Sequence, residues 1–149
     1  MTESRTKLKR VKPIIRAREA QLYHEITRLN ELRNQKALAI SELRKSQGDY
    51  ADAVNKINNQ RQSTDRSMLL TLESTIDKMK TRFYLSLRKV REIETLERQQ
   101  MTVLIGAERN LKSTEKLRER YEMTVRSENK KVDQKHNDEI ANRKYIENK

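Results

Sequence analysis

Apolar residues recur every seven positions along most of this chain, and a repeat of that period is buried by winding one helix against another. In the first half, Ile15, Leu22, Leu29, Lys36, Leu43, Tyr50 and Ile57 form one seam line, and Glu19, Ile26, Arg33, Ile40, Gln47, Val54 and Arg61 are read as the second. Nine of these 14 positions are apolar, where composition alone gives about five. The second half has its own register. Leu69, Ile76, Phe83, Val90, Glu97, Leu104, Leu111, Arg118 and Val125 alternate with Leu72, Met79, Ser86, Ile93, Gln100, Ala107, Thr114 and Tyr121, and twelve of 17 are apolar against about six expected.

Composition agrees with helix and excludes much else. Of 149 residues, 34% are hydrophobic and 38% charged, too few apolar groups for a thick core. Two Gly, one Pro, one Phe and five Tyr leave a multi-strand sheet without its turns and aromatic runs. The absence of Cys removes disulfides, thiolate nucleophiles and Cys-type zinc sites, and fits a reducing compartment. The longest apolar runs, Met68 to Leu70 and Val103 to Ile105, fall far short of a membrane span or a signal h-region.

Residues 58–67 are polar throughout and separate the two registers, so the helix is expected to break there. Ser63, Thr64, Asp65 and Ser67 are each competent N-caps for a second helix, and so short a loop returns the chain antiparallel to itself. Pro13 suits a first helical turn, which predicts a start near Lys12. The expected organisation is a basic N-terminal arm (1–11, of which 1–10 is frayed or ordered by a partner), helix 1 (12–57), hairpin loop (58–67), helix 2 (68–130) and a charged tail (131–149). The fold class is therefore all-α: an antiparallel two-helix coiled-coil hairpin with an extended C-terminal helix. In this rod-like reading, residues from about Ser113 onward outrun the first helix, lack an intramolecular partner and are free to fold on something else. The polar members of the second line, Glu19, Arg33, Gln47 and Arg61, are expected as seam layers that lower stability. Gly48 and Gly106 fall mid-helix as weak spots.

The formal charge is +12, and it is uneven. Seven bases, Arg5, Lys7, Lys9, Arg10, Lys12, Arg16 and Arg18, face one acid, Glu3, before Glu19. Such a segment either stays solvated or meets an acidic partner. Catalytic signatures are lacking: the two His, His24 and His136, are far apart, and no Gly-rich phosphate loop, G-x-S-x-G or H-E-x-x-H occurs. Close carboxylates such as Glu92, Glu94 and Glu97, or Asp138 and Glu139, read as surface ion pairs among many bases. The expectation is a non-enzyme with no cofactor, no metal and no direct membrane insertion. A basic-zipper reading fails because Pro13 interrupts the basic stretch and Lys36 breaks the Leu ladder, so nucleic acid is not an expected partner.

Three stretches give the chain a family likeness. The run Leu8, Arg10, Val11, Lys12, Arg16, Ala17 and Arg18 is similar to an L-x-R-V-K start. Leu69, Leu70, Thr71, Leu72 and Glu73 with Ile76 resemble an L-E-x-x-I segment. Lys116, Leu117, Arg118, Glu119 and Arg120, followed by Asp138, Glu139, Ile140, Ala141, Asn142 and Arg143, resemble a K-L-x-E…D-E-I-A-x-R ending. Together they resemble the FliJ/YscO/HrpO family of type III secretion stalk proteins. These residues leave flagellar and injectisome membership open, with the Arg10, Val11, Lys12 start leaning to the injectisome.

The resemblance implies an antiparallel coiled coil that inserts its termini into the hexameric type III secretion ATPase and touches the cytoplasmic domain of the export gate. It would thereby act as a cytoplasmic stalk, peripheral to the apparatus at the inner membrane. Carried over by position, Lys7, Lys9, Arg10, Lys12, Arg16, Arg18, Lys116, Arg118, Arg120, Asp138, Glu139 and Arg143 would meet the ATPase. Leu43, Tyr50, Met68, Leu72 and Met79 would meet the gate, although Ser46 stands where flagellar members carry an aromatic. The plain alternative for Leu43, Tyr50, Leu72 and Met79 is seam packing, and Met68 alone lies off the seam. Alternative roles are a chaperone escort, with secretion chaperones as partners, or a generic coiled-coil scaffold, with a basic nucleic-acid-binding coiled coil ranked behind them.

Overall fold

The computed structural model describes residues 3–62 and 65–148. It contains two helices, α1 (Glu3–Gln60) and α2 (Arg66–Glu147), which pack against each other as an all-α hairpin. No strand occurs among the described residues. The helices stop where the polar stretch begins to compete for backbone bonds. Asp65 caps α2, its Oδ1 accepting the Met68 N–H at 2.8 Å, and the Leu69 N–H reaches the Asp65 carbonyl at 3.1 Å. Ser63 and Thr64, the neighbouring candidates, lie outside the described residues.

The chain divides into two compact units: Met1–His24 with Leu104–Lys149, and Glu25–Val103. In the first unit, α1 begins at Glu3, ahead of the expected start near Lys12, and Pro13 sits inside the helix. What holds the early turns is cross-helix contact. Val11 and Ile15 are buried, Ser4 Oγ donates to Glu128 Oε1 at 3.1 Å, and Arg5 donates to Asn129 Oδ1 at 2.6 Å. The described part of the 1–11 segment is therefore helix rather than a frayed arm.

The same contacts correct the expectation for Ser113 onward. Thr114 is buried, and Arg118, Tyr121, Val125 and Glu128 are half-buried, because α1 reaches back far enough to cover them. Only from Asn129 on is every described residue exposed. Yet α2 continues to Glu147, since no Gly or Pro after Gly106 interrupts it.

In the second unit the pairing is antiparallel: Tyr50 stacks on Phe83 with centroids 6.2 Å apart, Ser46 meets Ser86 at 3.1 Å, and Lys36 meets Glu97 at 3.2 Å. Ala39, Val90 and Ile93 form the core, with Ile40 and Leu43 against it. The Ser46 hydroxyl donates to the Glu42 carbonyl at 2.9 Å, leaving Ser86 as the donor to Ser46. Farther along, the buried Gln100 amide donates both to the Glu25 carbonyl at 3.1 Å and to the Glu25 carboxylate.

The first seam line on α1 and both lines on α2 fall at buried or half-buried positions, but the second line on α1 does not lie where the apolar count put it. It follows the first by three residues, as a heptad seam requires, and reads Arg18 in the first unit and Glu25, Leu32, Ala39, Ser46 and Ala53 in the second. Glu19, Arg33, Gln47 and Arg61 are exposed instead. A step of four lands about 100° further around the helix, on its flank. Hydrophobicity favoured that line because Ile26, Ile40 and Val54 outscore Glu25, Ala39 and Ser46, which fill the seam by being small or by hydrogen bonding.

Gly48 and Gly106 each have open space where a Cβ would stand, so neither serves a close approach. Replacing Gly48 by Ala is expected to raise stability by about 0.5–1 kcal/mol. Gln100→Leu leaves the Glu25 carboxylate buried without that donor and is expected to cost roughly 1–3 kcal/mol, much of it recovered in Glu25→Leu/Gln100→Leu. Urea titrations followed by circular dichroism check both; a Gln100→Leu protein as stable as the parent would show that the polar layer is neutral.

Candidate functional site

Two groups of side chains are candidates, one in each unit. In the first unit, the seam pulls Val11 and Ile15 inward, which turns Lys9, Arg10, Lys12 and Arg16 outward to solvent. Lys7 is more occupied: its Nζ lies 3.3 Å from Glu3 and 6.0 Å above the Tyr121 ring. Arg18 is half-buried on the seam.

From α2, Arg118 is also half-buried, with Nε 3.8 Å from Glu122, while Lys116 and Arg120 are exposed. The fold brings part of this set together: Lys12, Arg16 and Arg118 line one open groove of about 340 Å³ with Ile15, Glu19 and Glu122. Asp138, Glu139 and Arg143 do not join them. They are exposed and lie past Glu128 and Asn129, the residues that meet Ser4 and Arg5.

The groove suits binding of an acidic surface more than chemistry on a small molecule, since Lys12 and Arg16 stand open to water. Among the described residues, no group of three His, Asp or Glu is placed to hold a metal ion, and no helix is long and apolar enough to cross a membrane.

In the second unit, Leu43, Tyr50, Leu72 and Met79 are half-buried seam residues. Leu43 packs on the Ala39, Val90 and Ile93 core, and Tyr50 is stacked on Phe83 with the rings 9° from parallel. Met68 is 59% exposed and Leu70 58%, on the first turns of α2. Ser46, which departs from the flagellar pattern, is buried with its hydroxyl against that of Ser86, so two small polar side chains fill this seam layer.

Sequence reasoning missed Glu25. Its signal was present, three residues beyond Leu22 and matched by the polar Gln100 in the α2 series. It also missed Tyr84, 56% exposed beside Phe83 at 5.5 Å, and Met101, 41% exposed, neither of which belongs to a seam series.

Two long helices paired antiparallel through a heptad seam define a coiled-coil hairpin protein. A family model described as "Flagellar FliJ protein" matches residues 7–149, and the chain belongs to this FliJ family. No curated protein and no solved structure matches the chain. FliJ proteins are non-catalytic, cytoplasmic components of the flagellar and type III export apparatus.

The burial pattern separates the five candidates of the second unit. Tyr50→Ala removes a half-buried stacked ring and is expected to cost about 2 kcal/mol. Met68→Ala is expected to stay within about 0.5 kcal/mol of the parent. Thermal melts of the two variants check this, and an equal loss in both would place Met68 in the packing.

Proposed function

We propose that this protein is a stalk subunit of a type III export apparatus, joining the hexameric secretion ATPase to the cytoplasmic domain of the export gate. Membership in the FliJ family over residues 7–149 carries the reading. The exposed bases support it: Lys9, Arg10, Lys12 and Arg16 stand outward on α1, and Lys116 and Arg120 are exposed on α2, charges that attract acidic side chains.

Within that set, roles differ by exposure. Lys9, Arg10 and Lys12 make the contact with the ATPase. Lys7 and Arg118, each already beside a glutamate, and Arg18, on the seam, hold the segment in shape. Asp138, Glu139 and Arg143 add a second contact from the exposed end of α2. On the gate side, Met68 is the contact residue, whereas Leu43, Tyr50, Leu72 and Met79 act by keeping the seam closed beneath it.

Reversing charge at Lys9, Arg10 and Lys12 together (each to Glu) is expected to weaken binding to the purified cognate ATPase by at least about tenfold, or 1.4 kcal/mol. Its stimulation should fall in parallel, with helix content by circular dichroism unchanged. Stimulation equal to that of the parent would defeat the assignment, and retained binding to secretion chaperones alone would favour an escort role.

A further inference from the structure

The off-seam residues of α1 have a partner line on α2. Ile26, Ile40 and Val54 follow the first seam line by four residues, and Leu87 and Met101 do the same on α2. In an antiparallel pair these two lines flank the same side of the seam. Ile26 and Met101 are 40% and 41% exposed, Ile40, Val54 and Leu87 are half-buried, and Tyr84 stands 56% exposed at the edge. A helix in a simple two-stranded coil needs only its two seam lines. A third apolar line is the pattern of a helix that packs on more than one neighbour.

Charge narrows the occupant. From the level of Ile26 to one turn past Ile40, this flank carries Arg33, Arg44, Arg91 and Arg98, all exposed, against one carboxylate, Glu94. Arg33 is partly engaged, with Nε 4.0 Å from Glu97. The opposite flank is mixed, with Glu31, Glu42 and Glu92 among its bases. A second copy of this chain would bring the same arginines face to face, which opposes self-association. An amphipathic helix with glutamates or aspartates beside its apolar stripe meets both demands.

We propose that this flank of the Glu25–Val103 unit is a docking groove for an acidic amphipathic helix of another protein, completing a three-helix bundle. The groove goes beyond the stalk reading, since it involves none of the residues assigned to the ATPase or the gate. Its knobs would enter at the Ile26–Met101 and Ile40–Leu87 levels, with acidic side chains paired to Arg91 and Arg98 on the α2 side and Arg44 on the α1 side.

The test uses the full chain and two labelled synthetic helices of about four heptads, both with leucine seams, one flanked by glutamate and the other by lysine. In fluorescence anisotropy, the glutamate probe is expected to bind at least about tenfold more tightly than the lysine probe. Ile26→Ser/Met101→Ser should weaken that binding about tenfold, and Arg91→Glu/Arg98→Glu should reverse the preference. Both pairs are well exposed, and circular dichroism confirms that the variants keep their helix. Stimulation of the secretion ATPase should stay at the parent level in Arg91→Glu/Arg98→Glu, which separates this groove from the N-terminal contact. Equal affinity for the two probes, or binding indifferent to both variant pairs, overturns the proposal. Light scattering that finds a dimer dispersed by Ile26→Ser/Met101→Ser assigns the face to a second copy and overturns it as well.

Discussion

The structure depends on helix pairing through a heptad seam that is only partly apolar. Neither helix is a strong helix on its own terms: 38% of the chain is charged, and isolated helices gain most of their stability in proteins from a packed face. The seam supplies that face. Its buried members include Glu25, Ser46, Ser86, Gln100 and Thr114 beside Val11, Ile15, Leu29, Ala39, Ile57, Val90, Ile93, Leu104 and Ala107. Polar layers give up some hydrophobic stabilisation, and in exchange they specify which residues face each other.

Much of this is legible in the amino-acid sequence. The period of seven, the polar break and the hairpin were all readable because each rests on a repeated or local signal: apolar spacing, or a capping side chain such as Asp65. The two lines of α2 could be read residue by residue, down to the polar Ser86, Gln100 and Thr114. What failed on α1 was a one-residue choice between adjacent lines. Counting apolar residues prefers Ile26, Ile40 and Val54, and only the partner helix reveals that Glu25 and Ser46 are inside, each satisfied by a group opposite it. The helix start failed for a related reason. Pro13 is a good local signal for a first turn, but Ser4, Arg5 and Val11 bind across to α2 and override it.

The candidate surfaces were less legible than the fold. Charge density picks out the N-terminal bases as a group, yet it does not separate Lys9, Arg10 and Lys12, which stand outward, from Lys7, Arg18 and Arg118, which are engaged or half-buried. The set carried over for the export gate divides the same way. Four of its five members are half-buried packing residues, so they offer a partner less surface than Met68 and its exposed neighbour Leu70.

The Gln100 amide spends both of its hydrogens on one residue, reaching the main chain and the carboxylate of Glu25 together. An apolar layer resists separation but is nearly indifferent to slippage by a whole heptad: Leu43 would find Phe83 as acceptable as Val90. The hydrogen-bonded layers are not indifferent. Shear along the helix axes in the Glu25–Val103 unit is therefore opposed at discrete rungs, Glu25 with Gln100 and Ser46 with Ser86, while the greasy surface between them acts as lubricant.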